Sequence, residues 1–239
     1  VISSDRGEIV ARGLINATGT WETPRIPEYP GRERFRGRQL HTRDYWSADD
    51  FRGQHVVVVG AGISAIQHLD EISRVTSTTW VTRREPDFRE GPFDEQAGRE
   101  AVAQVETRVR QGLIPESVVS VTGLPVTERI RDMRERGVLQ RRPMFSEITE
   151  DGVRWADGSA VKADVILWAT GFESNLGHLE GLGLREANGG IVMGGRLATQ
   201  VEKEPRVHLV GYGPSASTIG ANRAGRAAAR ELTKELGLR

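Results

Sequence analysis

The residues that most directly imply chemistry are Gly60-x-Gly62-x-x-Ala65. In such a spacing the first glycine allows a tight turn. The second lets backbone approach a pyrophosphate with no Cβ in the way, and the small third residue lets a helix pack closely on the preceding strand. Ile63 and Ser64 would open that helix, whose free N–H groups and partial positive charge suit phosphate. Further along lies Thr82-Arg83-Arg84. An acidic residue here would grip the ribose 2′-hydroxyl of NAD, whereas guanidiniums suit the 2′-phosphate of NADP. Arg83 and Arg84 therefore favour NADPH, and the adjacent Glu85 keeps NADH open.

These residues need a strand before them and a helix after them. Val56-Val57-Val58-Val59 is a β-branched run of the kind buried on both faces of a parallel sheet. Ile63–Ser73 has apolar residues at helical spacing, and Thr78–Thr82 is a second strand. Gln54–Arg84 thus forms a strand–turn–helix–strand unit of about 30 residues. Further helices are expected over Asp94–Leu113, Val126–Arg136 and Thr218–Leu236, the last with the small inner face Gly220, Ala224, Ala227 and Ala228. Asp151-Gly152 and Asp157-Gly158 signal hairpins around a strand at Val153–Ala156. Single strands are expected at Glu8–Asn16, Val161–Trp168 and Val207–Gly211. Pro24, Pro27 and Pro30 favour an extended path over Thr20–Gly31, Phe35–Asp50 shows no clear period, and Phe172–Glu204 is loop-rich.

Composition removes several function classes. The 239 residues contain 33 Lys+Arg and 33 Asp+Glu, and no basic block marks a nucleic-acid or membrane binder. The absence of cysteine excludes disulfide scaffolds, cysteine-ligated metals and any redox Cys pair. No apolar run approaches the ~20 residues of a membrane span. A cytoplasmic protein with no nucleic-acid or membrane partner is expected.

Phe35-x-Gly37-x-x-x-His41-x-x-x-Tyr45 resembles the F-x-G-x-x-x-H-x-x-x-[FY] identifying sequence of flavin-containing monooxygenases. Ala17-Thr18-Gly19 and Ala169-Thr170-Gly171 resemble the two A-T-G linkers of that superfamily, which cross between an FAD domain and an inserted NADPH domain. Val207–Gly213 followed by Ser215–Gly220 resembles the strand, turn and helix that face the flavin in such proteins.

The resemblance implies an α/β fold. A Rossmann-like NAD(P)-binding domain with a parallel sheet and β-meander spans residues 35–168, flanked by parts of an FAD-binding domain at 1–34 and 169–239. The family's own FAD-binding G-x-G-x-x-G has no counterpart here. A fragment is therefore implied, one that holds FAD poorly and exposes apolar surface on Glu8–Asn16 and Val207–Gly211. The implied cofactors are NADP and FAD, and the implied partners are a small-molecule substrate and O2. The implied cofactor-binding residues are Gly60, Gly62, Ile63, Ser64, Ala65, Arg83 and Arg84, with Thr18, Gly19, Ala169, Thr170, Gly171 and Gly213 at the linkers and flavin end. The implied activity is reduction of FAD by NADPH, followed by transfer of oxygen from O2 to a small nucleophile. A flavin or ferredoxin-type reductase and a catalytically inactive nucleotide-binding fragment remain as alternatives. Catalytic residues, substrate and oligomeric state are not assigned.

Overall fold

The computed structural model describes residues 1–91, 95–116 and 122–238. Its contacts divide the chain into two compact units. One comprises residues 1–23, 94–121 and 174–239, the other residues 24–93 and 122–173.

The second unit is built on a five-stranded parallel sheet. Its strands, in spatial order, are Arg38–His41, Val165–Trp168, Val56–Val59, Thr78–Thr82 and Arg141–Pro143. The valine run forms the central strand and is buried throughout. One face of the sheet, through Val57, Val59, Val81, Ile166 and Trp168, joins Phe145, Ile148, Val153 and Trp155 in one apolar cluster. Those last residues belong to or flank the antiparallel meander Glu147–Thr149, Gly152–Arg154 and Ala160–Lys162. The helix Ile63–Ile72 packs on the central strand through its buried Ala65, Ile66, Leu69 and Ile72. Thr127 caps the helix Glu128–Glu135 by accepting a hydrogen bond from the Ile130 N–H.

Two features of this unit depart from the sequence reading. Val161–Trp168 is two strands in two sheets, separated at Ala163-Asp164. There the Asp164 carbonyl accepts from Arg38 N–H and its carboxylate accepts from His55 N–H, so this residue ties the parallel strands rather than extending the meander. Arg38–His41, inside the stretch without a clear period, is an edge strand aligned on Val165–Trp168.

The first unit holds a four-stranded sheet in the order Met193–Gly194, Gln200–Val201, Glu204–Leu209, Leu14–Asn16. The last two strands run parallel. Glu8–Asn16 is therefore not one strand. Gly7–Ile9 pairs back on Ile2–Ser4, and a break follows at Val10–Gly13. Gly13 sits so close to Leu232 and the Arg206 carbonyl that an added Cβ would lie 2.6 Å from Leu232 Cδ1. Val207 and Leu209 are buried with Leu176, Ile191, Met193 and Tyr212, so the expected exposed patch is absent from that strand. Ile9 and Val10 are exposed as expected.

The helix Glu95–Arg110 also belongs to the first unit, although its residues fall within 35–168 in sequence. Val109 joins the first unit's cluster. Asp94 and the side chain of Ala97 lie outside the described residues. The closing helix Thr218–Glu235 is capped by Ser217 and buries Ala224 and Ala228. Among the described residues no helix is long and apolar enough to cross a membrane.

Candidate functional site

The sheet order of the second unit creates a crevice at one place. The chain leaves the central strand through Gly60, forms the helix Ile63–Ile72 and returns on one side as Thr78–Thr82. Val165–Trp168 lies on the other side of the central strand. In parallel sheets ligands bind beyond the carboxyl ends of strands where the winding reverses. Gly60-Ala61-Gly62 and Ala169-Thr170-Gly171 are the two segments at that point.

The two glycines of the turn do different work. Gly60 has φ +147°, and an added Cβ would lie 2.2 Å from the Ala169 carbonyl oxygen. Its N–H donates to the Val81 carbonyl at 2.9 Å, and its own carbonyl accepts from Trp80 Nε1 at 2.8 Å. Gly60 is therefore fixed by close packing of three strand ends. Gly62 has φ −95° and ψ 179°, which any residue can adopt, and its Cβ position faces open space. Gly62 begins the helix without a side-chain cap. Among the described residues the N–H groups of Ile63, Ser64 and Ala65 meet no acceptor, while the Ile66 N–H bonds to the Gly62 carbonyl. Ala65 is fully buried, as close helix–strand packing requires. This is a cradle of backbone donors that a side chain at Gly62 would fill, and its geometry fits a pyrophosphate.

Arg83 and Arg84 follow the neighbouring strand end and are exposed. Among the described residues neither guanidinium has an ion-pair or hydrogen-bond partner. The buried Thr82 organises this end of the sheet. Its hydroxyl donates to the Arg84 carbonyl at 2.7 Å and accepts from Arg141 Nε at 2.5 Å.

The second A-T-G segment is fixed locally. Ala169 N–H donates to the Val59 carbonyl at 2.8 Å, and the Thr170 hydroxyl donates to the Arg25 carbonyl. The Gly171 carbonyl accepts from Arg25 N–H and from His41 Nε2, both at 2.9 Å. His41 Nδ1 accepts from the Arg43 N–H, so the proton lies on Nε2 and the ring is neutral. Burial also lowers its pKa, opposed by the Gly171 bond and Asp44. His41 is thus a buried structural clamp within the fingerprint. At the other end of the motif the Tyr45 hydroxyl donates to Glu71 at 2.6 Å.

Beside that pair lies His68, buried, with Nε2 3.3 Å from the Thr42 hydroxyl and no partner on Nδ1. Burial pushes its pKa down to about 4, against the pull of Glu71, with His41 adding slightly to the lowering. Its folded pKa lies below its unfolded one, so the unfolded chain binds the proton first. The stability associated with the neutral ring is complete above about pH 6.5 and is lost as the pH falls toward about 4. His68→Gln should be less sensitive than the parent across that window, by roughly 2–3 kcal/mol. Denaturant unfolding at several pH values measures the difference, and parallel curves for both proteins would contradict it.

The remaining predicted residues lie in the first unit. The Thr18 hydroxyl accepts from Asn16 Nδ2 and donates to the Asn175 carbonyl, so both its capacities are engaged. Gly19 has φ +64° with open space at its Cβ position, and its Cα lies 3.7 Å from the Cβ position of Gly211. These glycines follow adjacent parallel strands, Leu14–Asn16 and Glu204–Leu209. Gly19 therefore leaves its Cβ direction open. Gly213 does not, because its Cβ position lies 2.8 Å from Val109 Cγ1 and the residue is buried. Its glycine is explained by packing on the helix Glu95–Arg110.

Sequence reasoning missed Trp80, Arg141 and Asn175. Trp80 and Arg141 act across neighbouring strands, and Asn175 acts from a loop. None carries a spacing signal.

Residues 1–211 match the family described as pyridine nucleotide-disulphide oxidoreductase. The chain belongs to this family. Its 239 residues contain no cysteine. Among similar proteins of this oxidoreductase family, indole-3-pyruvate monooxygenase YUCCA1 of Oryza sativa subsp. japonica is 30% identical over 203 residues, covering 72% of this chain and 50% of that protein. The flavin-containing monooxygenase from Stenotrophomonas maltophilia is 33% identical with TM-score 0.76, covering 97% of this chain and 66% of that one. OTEMO, crystallised in complex with FAD and NADP, is 16% identical with TM-score 0.58 over 98% of this chain and 63% of its own, and shares the fold. The chain spans 50% of the length of YUCCA1 and 18% of that of senecionine N-oxygenase from Tyria jacobaeae.

Proposed function

We propose that the chain binds NADPH at the Gly60–Ala65 turn and belongs to an NADPH-dependent flavoprotein monooxygenase acting on a small nucleophilic substrate with O2. The observation that carries this reading is the open Cβ direction of Gly62 at the start of a helix whose Ile63–Ala65 N–H groups meet no acceptor among the described residues, with the exposed Arg83 and Arg84 following the neighbouring strand. In this reading the backbone donors hold the pyrophosphate, and Arg83 and Arg84 hold the 2′-phosphate. Ala169, Thr170 and Gly171 form the opposite wall of the crevice. FAD, when bound, would accept the hydride of NADPH and react with O2. The open backbone at Gly19 supports a flavin contact in the first unit, whereas Thr18 and Gly213 are held there by structural duties. Residues 35–168 supply most of the nucleotide unit, and the terminal segments are the flavin-side portion. This reading also places the enzyme in the cytoplasm.

Arg83→Ala tests the coenzyme part. NADPH binding should weaken roughly 10- to 100-fold, as expected for a lost charge-assisted contact, with NADH within about twofold. Fluorescence titration with both coenzymes measures this. Equal losses for the two would remove Arg83 from the phosphate site.

A further inference from the structure

Arg141 lies on the outermost strand of the parallel sheet, in register with Trp80 of the neighbouring strand. Its Nε donates to Thr82 Oγ1 at 2.5 Å, and the same hydroxyl donates to the Arg84 carbonyl at 2.7 Å. Thr82 is 1% exposed, so this relay is shielded from water. Among the described residues only Nε of Arg141 is engaged. Among the described residues its two terminal nitrogens have no hydrogen-bond or ion-pair partner, and the side chain is half-buried. With Nε held, the two terminal nitrogens still carry four N–H donors, two of them on the edge away from the tether. Arg142, one position on, is used differently: its guanidinium lies 3.5 Å over the Trp155 ring and bonds to Ser159.

We propose that Arg141 is a specificity-determining residue for the 2′-phosphate, a third guanidinium preset by Thr82 beside Arg83 and Arg84. This rests on the dinucleotide reading above. Arg83 and Arg84 are exposed and untethered, so each loses rotamer freedom on meeting a phosphate. Arg141 has lost much of that freedom already. A phosphate dianion can accept from several guanidinium edges at once. One tethered and two mobile arginines would therefore close on it, while the 2′-hydroxyl of NAD offers them no charge.

The test is calorimetric titration of the full chain with NADP+, NAD+ and 2′,5′-ADP, for the parent, Arg141→Gln, Thr82→Val and Arg83→Ala. Arg141→Gln should weaken NADP+ and 2′,5′-ADP roughly 10- to 100-fold and leave NAD+ within about twofold. Thr82→Val conserves shape, removes the tether and should reduce the NADP+ preference by a smaller factor, roughly three- to tenfold. It carries the test should Arg141→Gln not fold. Equal weakening of NADP+ and NAD+ by Arg141→Gln, or an unchanged preference in either variant, would overturn the proposal. If Arg83→Ala loses the preference while Arg141→Gln keeps it, this inference fails and the dinucleotide reading survives. A parent that binds neither coenzyme overturns both.

Discussion

Gly62→Val is expected to weaken NADPH binding at least ~100-fold while leaving the chain folded, because it puts a branched side chain where the pyrophosphate would sit. The local backbone is already extended at φ −95° and ψ 179°, and among the described residues no atom beyond the adjoining backbone lies within 4 Å of the Cβ position. The first carbon of the new side chain therefore enters open space. Its cost to the fold is that of a poor helix N-cap, about 1 kcal/mol. Thermal unfolding should shift by a few degrees at most, roughly 2–4 °C for a chain of this size. Isothermal calorimetry measures the binding. A variant that binds NADPH like the parent would take this turn out of the site.

Gly60→Ala has the opposite expectation. At φ +147° an L side chain is strained, and its Cβ would lie 2.2 Å from the Ala169 carbonyl oxygen. That oxygen belongs to the backbone of an adjoining strand end, which is anchored by Ala169 N–H on the Val59 carbonyl. It cannot move without separating the two central strands. Destabilisation of about 3 kcal/mol or more is expected, from strain and overpacking together. The melting temperature should fall by roughly 6–12 °C. A melting temperature equal to the parent's would mean that the strands do not approach as described. The two glycines thus separate the binding role of the motif from its folding role.

The sequence made legible what is local. The valine run, the turn, the helix Ile63–Ile72 and the strand Thr78–Thr82 carry their pattern within one short stretch. The helix Glu95–Arg110 was visible for the same reason. What depended on distant pairing was not visible. Arg38–His41 becomes a strand only because Val165–Trp168 lies beside it, and its own residues alternate weakly. The break at Ala163-Asp164 follows from Asp164 joining Arg38 and His55 across the sheet. Val207 looked available for a missing neighbour, yet the residues that bury it come from the loop-rich stretch Phe172–Glu204.

The site divides in the same way. Spacing picked out Gly60, Gly62 and Ala65 and gave the first glycine to the turn and the second to the pyrophosphate. What it could not show is the close approach of Ala169 and the Trp80 hydrogen bond that hold Gly60. Arg83 and Arg84 were legible because they follow a strand end directly. Arg141 was not, because a hydrogen bond to Thr82 across the sheet is what brings it there. Gly213 was legible as a turn glycine, and its contact with Val109 could not be seen from sequence.

We propose the crevice between Gly60–Ala65 and Ala169–Gly171 as an NADP site, and calorimetric titration of the unaltered chain with NADP+, run beside NAD+, is its test. Saturable one-to-one binding is expected, with NADP+ tighter by about tenfold or more from the added charge-assisted contacts. A folded chain that gives no saturable binding with NADP+ would contradict it.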